Sequence, residues 1–177
     1  MTVLEIIAQC FGFIGMICLF VSYQQKQRNS LILFKLCSDF MWVIHYLCLS
    51  AYGGAIPNFV GIFREIVFVN NNKKWAKSIF WPILFIMINW TLTIYTWKSC
   101  ITLIPICASM FVTISLWIQN PLLTKIICIP VSICYIIYDL YVGSWIGIVN
   151  ETIALISIAS FLIRNRHNID IHFHRSS

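Results

Sequence analysis

Seven apolar runs divide the chain: Thr2 to Tyr23, Leu31 to Ser50, Gly53 to Val69, Ser78 to Trp97, Ile101 to Ile118, Leu122 to Tyr141 and Ser144 to Ile163. Each approaches the length of a helix that crosses a hydrocarbon core of about 30 Å, for which about 20 residues suffice. Polar residues collect in the short gaps between runs, and Gly53-Gly54, Pro121 and Gly143 punctuate them. Pro57, Pro82, Pro105 and Pro130 fall inside runs or at their starts, where packing between membrane helices accommodates a kink. The pattern predicts an all-α membrane fold of seven transmembrane helices with short antiparallel connections. The first run lacks a basic n-region and a small-x-small cleavage site, so it reads as a retained helix.

Composition excludes the water-soluble alternative. Of 177 residues, 60% are hydrophobic and 10% charged, with a mean hydropathy of +0.85. A soluble domain of this size has too little interior to hide that much apolar surface, so the expected partner is the lipid bilayer. Seven spans leave no room for a soluble catalytic domain. The charge of +6 reads as a topology signal rather than a nucleic-acid surface. Lys26, Arg28, Lys35, Arg64, Lys73, Lys74, Lys77, Lys125, Arg164, Arg166 and Arg175 share one side, against Lys98 alone on the other. The positive-inside bias therefore places the N-terminus outside and the C-terminus in the cytoplasm, with a basic rim suited to anionic headgroups. None of the eight cysteines forms a C-x-x-C pair, and they read as small apolar packing residues. The tail "HNIDIHFHRSS" reads as a solvated end. No metal site, cofactor or enzyme activity is expected.

A shift of 92 residues aligns Gln27 with Gln119, Leu31 with Leu123, Ile44 with Ile136, Tyr46 with Tyr138, Ile56 with Ile148 and Asn58 with Asn150. The runs follow the same shift: three, one extra, then three more. Three crossings reverse the side on which the chain emerges, so a second copy needs one linker helix to restore its orientation. The organisation read from this is a first three-helix repeat (1–70), a linker with the fourth helix (71–99), a second repeat (100–163) and a cytoplasmic tail (164–177). Parallel repeats about an axis along the membrane normal are a known transporter plan.

This 3+1+3 pattern resembles the SWEET sugar-transporter and PQ-loop superfamily. Within it, "SYQQKQRNSLILFKLCSDFMWVIHYL" and "AYGGAIPNFVGIFREIVF" resemble the bacterial YgjV-type inner-membrane proteins. The resemblance covers nearly the whole chain and implies a multi-pass protein of the inner (plasma) membrane. SWEET-type transporters place an Asn on the third helix of each repeat and a Trp on the second, facing the sugar. Asn58 and Asn150 match the Asn pair, and Trp42 precedes Asn58 by sixteen residues. The second repeat has Cys134 in place of the Trp, and "SYQQ" and "IQNP" stand where the superfamily carries Pro-Gln.

The polar residues inside the runs carry the chemistry. A polar group in lipid must find a partner or face a wet cavity. Asn58 and Asn150 either bind a polyhydroxyl solute, each amide offering donor and acceptor, or bond across helices as packing glue. Trp42 offers a face to a ring, and His45 offers a hydrogen bond or a proton site, or is a satisfied interior histidine. Asp39 stands four residues after Lys35, a spacing for an ion pair, with a proton or gating role as the alternative. Arg64-Glu65 reads as a cytoplasmic latch or snorkelling pair. Tyr138 and Asp139 lie one turn from the outer end, within reach of water, and Glu151 lies deeper as a candidate proton carrier. Trp75, Trp81, Trp97, Tyr52 and Trp145 fit an aromatic belt. The expected function is a small-solute carrier, sugar-like by the resemblance, working by alternating access. The alternative is a non-transporting receptor, assembly factor or scaffold on the same frame.

Overall fold

The computed structural model describes residues 2–24, 28–97, 99–118 and 121–164. Among them lie seven α-helices: α1 (Val3–Gln24), α2 (Arg28–Cys48), α3 (Tyr52–Val69), α4 (Phe80–Tyr95), α5 (Leu103–Ile118), α6 (Pro121–Val142) and α7 (Trp145–Arg164). Each begins and ends within a few residues of an apolar run. Pro121 opens α6, where its missing N–H would have had no partner anyway. Pro57 and Pro130 lie inside α3 and α6. Lys26, Lys98, Gln27, Gln119 and the tail beyond Arg164 lie outside the described residues.

Burial is inverted relative to a protein in water. Val3, Met87, Leu140, Ile156 and Ile163 are exposed, while His45, Glu65, Thr113 and Ser144 are buried. Hydrocarbon outside explains both halves of this, because lipid accepts the apolar side chains and the interior satisfies the polar ones. By length and composition, Val3–Ser22, Cys100–Ile118 and Leu123–Val142 are long and apolar enough to cross a membrane. The sequences of α2 and α3 carry Lys35, Asp39, Arg64 and Glu65, which lower their apolarity but turn inward.

The helices pack in chain order, α1 on α2 on α3 and α5 on α6 on α7. Contacts of α3 with α5 and of α1 with α7 join the two sets, and α4 lies against α3 and α5. The start of α1, the end of α2 and the starts of α3 and α7 converge at one face with the end of α6, where Ala8, His45, Gly54, Tyr138 and Ser144 interact. We call it the amino-terminal face.

The turns after α2 and α6 share one design. The Ala51 N–H donates to the Tyr46 carbonyl at 2.8 Å, and the Ser144 N–H to the Asp139 carbonyl at 2.9 Å. Each bond reaches back five positions, the 6→1 signature of a Schellman motif. The left-handed position of each is filled by Ser50 (φ 53°) and Gly143 (φ 72°). A Cβ on Gly143 would meet nothing within 4 Å, so only the backbone objects to a side chain there. Gly143→Ala should lower stability by about 1 kcal/mol, the penalty of left-handed backbone for an L-residue. Ser50→Gly should act in the opposite direction by less. Thermal unfolding of the two variants in detergent, side by side, measures both signs.

Candidate functional site

Two polar layers occupy the interior. The first lies near the amino-terminal face, and all of its long-range bonds except that of His45 to Ala8 run between the first three helices and the last three. The Tyr46 hydroxyl donates to Asp139 Oδ1 at 2.7 Å, and the Gly54 N–H donates to the Tyr138 hydroxyl at 2.8 Å. His45 uses both ring nitrogens, Nδ1 at 2.8 Å from the Ala8 carbonyl and Nε2 at 2.7 Å from Ser144 Oγ. A carbonyl can only accept, so Nδ1 carries the proton in the neutral ring and Nε2 accepts from the serine. Gln9 completes the layer: its Oε1 accepts from the Ile146 N–H at 3.1 Å. The Tyr46 and Tyr138 rings meet edge-on with centroids 6.0 Å apart. Gly54 permits that approach, since a Cβ there would stand 2.8 Å from the Tyr46 ring.

The second layer is a buried set of charges on α2 and α3. Lys35 Nζ lies 2.9 Å from Asp39 Oδ1 and 2.9 Å from Glu65 Oε1. Arg64 Nη2 lies 3.1 Å from Glu65 Oε1 and 3.8 Å from Asp39 Oδ2. Arg64 Nη1 donates to Thr113 Oγ1 on α5 at 3.1 Å, which ties the set to the last three helices. A Cβ on Gly61 would collide with Asp39 Oδ2, so the glycine makes room for the carboxylate. Two cations and two carboxylates leave the set neutral, the condition for keeping such charges away from water. The i,i+4 pair of Lys35 and Asp39 is present as the spacing predicts.

Two sequence expectations are corrected. Of the two alternatives for Arg64 and Glu65, snorkelling is the one that fails: the pair bonds internally and is 3% and 1% exposed, because Lys35, Asp39 and Thr113 supply partners inside. Asp139 is not open to water: it and Tyr138 are each 1% exposed, because contacts from α2, α3 and the start of α7 cover the end of α6, and a small cavity reaches Tyr138 alone of the two. The other candidates have these places. Asn58 Nδ2 donates to the Gly54 carbonyl of its own helix at 2.8 Å, and Asn150 Nδ2 donates to Glu151 Oε1 at 2.9 Å. The Ser132 hydroxyl also bonds to Glu151, which is half-buried. Trp42 is 5% exposed and packs edge-on against His45, with centroids 5.0 Å apart. Trp42, His45, Tyr46 and Tyr138 thus form one aromatic cluster, while Asp39 belongs to the charged layer.

Sequence reasoning missed Gln9, Ser144, Tyr46 and Thr113. Tyr46 had a signal, because it aligns with Tyr138 under the 92-residue shift. Ser144 and Thr113 had none, since their partners His45 and Arg64 lie 99 and 49 positions away.

A cavity of about 410 Å³ opens at the amino-terminal face above the first layer, lined by Thr2, Glu5, Gln9, Ser50, Gly143 and Trp145 among others. A smaller one of about 110 Å³ lies between Tyr52, Thr96, Thr102 and Tyr138. Asn58 and Asn150 line neither.

An apolar exterior around an ionised and hydrogen-bonded interior defines an integral, helical membrane protein. The chain belongs to the Imp-YgjV family, described as bacterial inner membrane protein, whose family model matches residues 6–169. Comparison with curated proteins and with solved structures finds no match.

The charged layer makes a sharp prediction. Arg64→Met removes one cation and leaves Glu65 and Asp39 competing for Lys35. Breaking a buried set in this way should cost about 3–5 kcal/mol. The double variant Arg64→Met/Glu65→Gln, with one cation and one carboxylate left, should recover much of it. Unfolding of the purified variants in detergent measures the coupling.

Proposed function

We propose that the chain is a small-solute carrier whose pathway is the boundary between α1–α3 and α5–α7. The observation that carries this reading is that the His45–Ser144, Tyr46–Asp139, Gly54–Tyr138 and Gln9–Ile146 bonds of the first layer, and the Arg64–Thr113 bond of the second, cross that boundary. Intramembrane polar groups are expensive and mark solute or ion pathways by default. In a carrier, bonds across a moving boundary can be exchanged for bonds to the cargo.

The parallel-repeat plan, three helices plus a linker plus three, is supported by how the helices meet. Exchanging α1 with α5, α2 with α6 and α3 with α7 turns the α3–α5 contact into the α7–α1 contact, and both exist. Residues on a two-fold axis meet their own equivalents, and Tyr46 meets Tyr138. Under this plan α4 is the linker, all seven helices cross the bilayer, and the chain ends lie on opposite faces. The charge bias puts the amino-terminal face outside and the carboxy-terminal end in the cytoplasm.

Solute would then enter through the amino-terminal cavity, with Gln9 and the first layer as its floor. The described form is closed there. Rocking of the two halves would break the His45–Ser144, Tyr46–Asp139 and Gly54–Tyr138 bonds and open Asn58, Asn150 and Trp42 to a sugar-like or other polar metabolite. The charged layer, tied to α5 through Thr113, would gate the opposite side. A second reading, a non-transporting receptor, assembly factor or scaffold, is favoured by one observation: both Asn amides bond to protein in this form.

Asn58→Ala and Asn150→Ala should each abolish uptake of the cognate solute in a metabolite screen while leaving the protein inserted at its normal level. Single cysteines placed at Asn58 and Asn150 should react with a membrane-impermeant thiol reagent applied from the amino-terminal side. Unchanged uptake in both variants, with unreactive cysteines, would favour the scaffold.

A further inference from the structure

The first polar layer holds an acid that its neighbours leave incomplete. Asp139 is 1% exposed. Its Oδ1 accepts from Tyr46, while its Oδ2 is buried, receives no well-formed hydrogen bond from a donor and stands next to Ser144. The ion pairs at Lys35, Asp39, Arg64 and Glu65 do not extend to it. Oδ2 and Ser144 Oγ crowd the same point, where a Cβ on Gly147 would stand, so the glycine holds a carboxyl oxygen beside a hydroxyl. That hydroxyl is already committed. The Ala8 carbonyl fixes the His45 proton on Nδ1, Nε2 must accept, and Ser144 therefore donates to the ring. Ser144 Oγ can then only accept from Asp139. A carboxylate there would face a lone pair, whereas a carboxylic acid would donate to it. An unpaired buried carboxylate is also strongly disfavoured in a medium without water.

We infer that Asp139, Ser144 and His45 form a proton-binding relay across the boundary between the halves, with the proton resting on Asp139 Oδ2 in the closed form. Read in order, the bonds run from Asp139 Oδ2–H to Ser144 Oγ, from Ser144 O–H to His45 Nε2, and from His45 Nδ1–H to the Ala8 carbonyl. Reversing the first two moves one proton. The Oδ2–H bond breaks as Ser144 Oγ takes its proton, and the Ser144 proton passes to Nε2. The products are an Asp139 carboxylate and a His45 imidazolium, with no net change in charge and no redox step. Gln9, beside Ala8 on α1, lines the amino-terminal cavity, so loss of its bond to Ile146 would let water reach the imidazolium and remove the proton. Titratable neighbours of Asp139 include Tyr46 on α2, Tyr135 and Tyr138 on α6 and Glu151 on α7. The hydroxyl of Tyr46 holds Oδ1, and Glu151 adds like charge nearby when ionised. Resting on the carrier reading, the relay makes the proton the coupling ion, since the bond that stores it is one that opening must break.

Infrared spectroscopy of the purified full-length chain in lipid reads the stored proton directly, through the carbonyl stretch of a protonated carboxylic acid. At neutral pH the wild type should show a component that Asp139→Asn removes and Glu151→Gln retains. Ser144→Ala should shift that component to higher frequency, because the acid loses the acceptor for its proton. A carbonyl region unchanged by both Asp139→Asn and Ser144→Ala would overturn the relay. If Asp139→Asn fails to insert, the wild-type and Ser144→Ala spectra decide alone: a shift supports the relay and identical bands refute it. The spectrum needs no solute, so failure of the uptake experiment would remove the carrier reading and leave the proton site standing.

Discussion

A hydrogen-bonding group inside this molecule is costly unless another one answers it, because hydrocarbon outside offers nothing. That requirement organises the structure more than apolar packing does. Buried side chains among the described residues are as often polar as apolar. An apolar side chain has little to gain by leaving lipid for the interior, so Leu and Ile are free to point outward. Small residues and polar pairs hold the helices together instead. Gly54 admits the Tyr46 ring, Gly61 admits Asp39, and Gly147 admits the Asp139 carboxyl.

The two polar layers answer the requirement differently. The charged layer contains its own counter-ions, so it can stay shut without a ligand or a proton. All four of its members lie on two packed helices, α2 and α3, which makes it a stiff unit within the first three helices. Among the described residues no ion pair reaches Asp139, and the layer at the amino-terminal face relies on hydrogen bonds between the two sets of helices. Such bonds are individually modest, about 1 kcal/mol in membrane proteins, so a handful of them can be broken together by a motion of low cost.

The sequence made the helices plain and the partnerships obscure. Seven apolar runs foretold seven helices with ends displaced by only a few residues, because hydrophobic length is a direct readout of a span. The Lys35–Asp39 pair was also legible, since both residues sit on one helix at a fixed spacing. The snorkelling alternative for Arg64 and Glu65 failed for a physical reason. Charges near a helix end snorkel if lipid surrounds them, and only the packed structure reveals that Lys35 and Thr113 wait inside. Asp139 misled in the same way: depth along a helix can be counted, whereas cover from α2, α3 and α7 cannot. His45 stood out as a lone histidine in an apolar run, yet Ala8 and Ser144, its two partners, carry no local mark.

The helices also differ in reach. Sixteen residues in α4, at about 1.5 Å of rise each, extend only about 24 Å. The twenty-two residues of α1 extend about 33 Å by the same rise. If α4 crosses the bilayer as the proposed linker, a hydrocarbon core of about 30 Å fits the α1 side and overhangs the α4 side. Lipids would then shorten or tilt locally along the α4–α5 flank, at a penalty of fractions of a kcal/mol per ångström. The protein would be wedge-like in thickness rather than in outline, and in a bilayer of uneven composition its thin flank would gather the shorter-chain lipids.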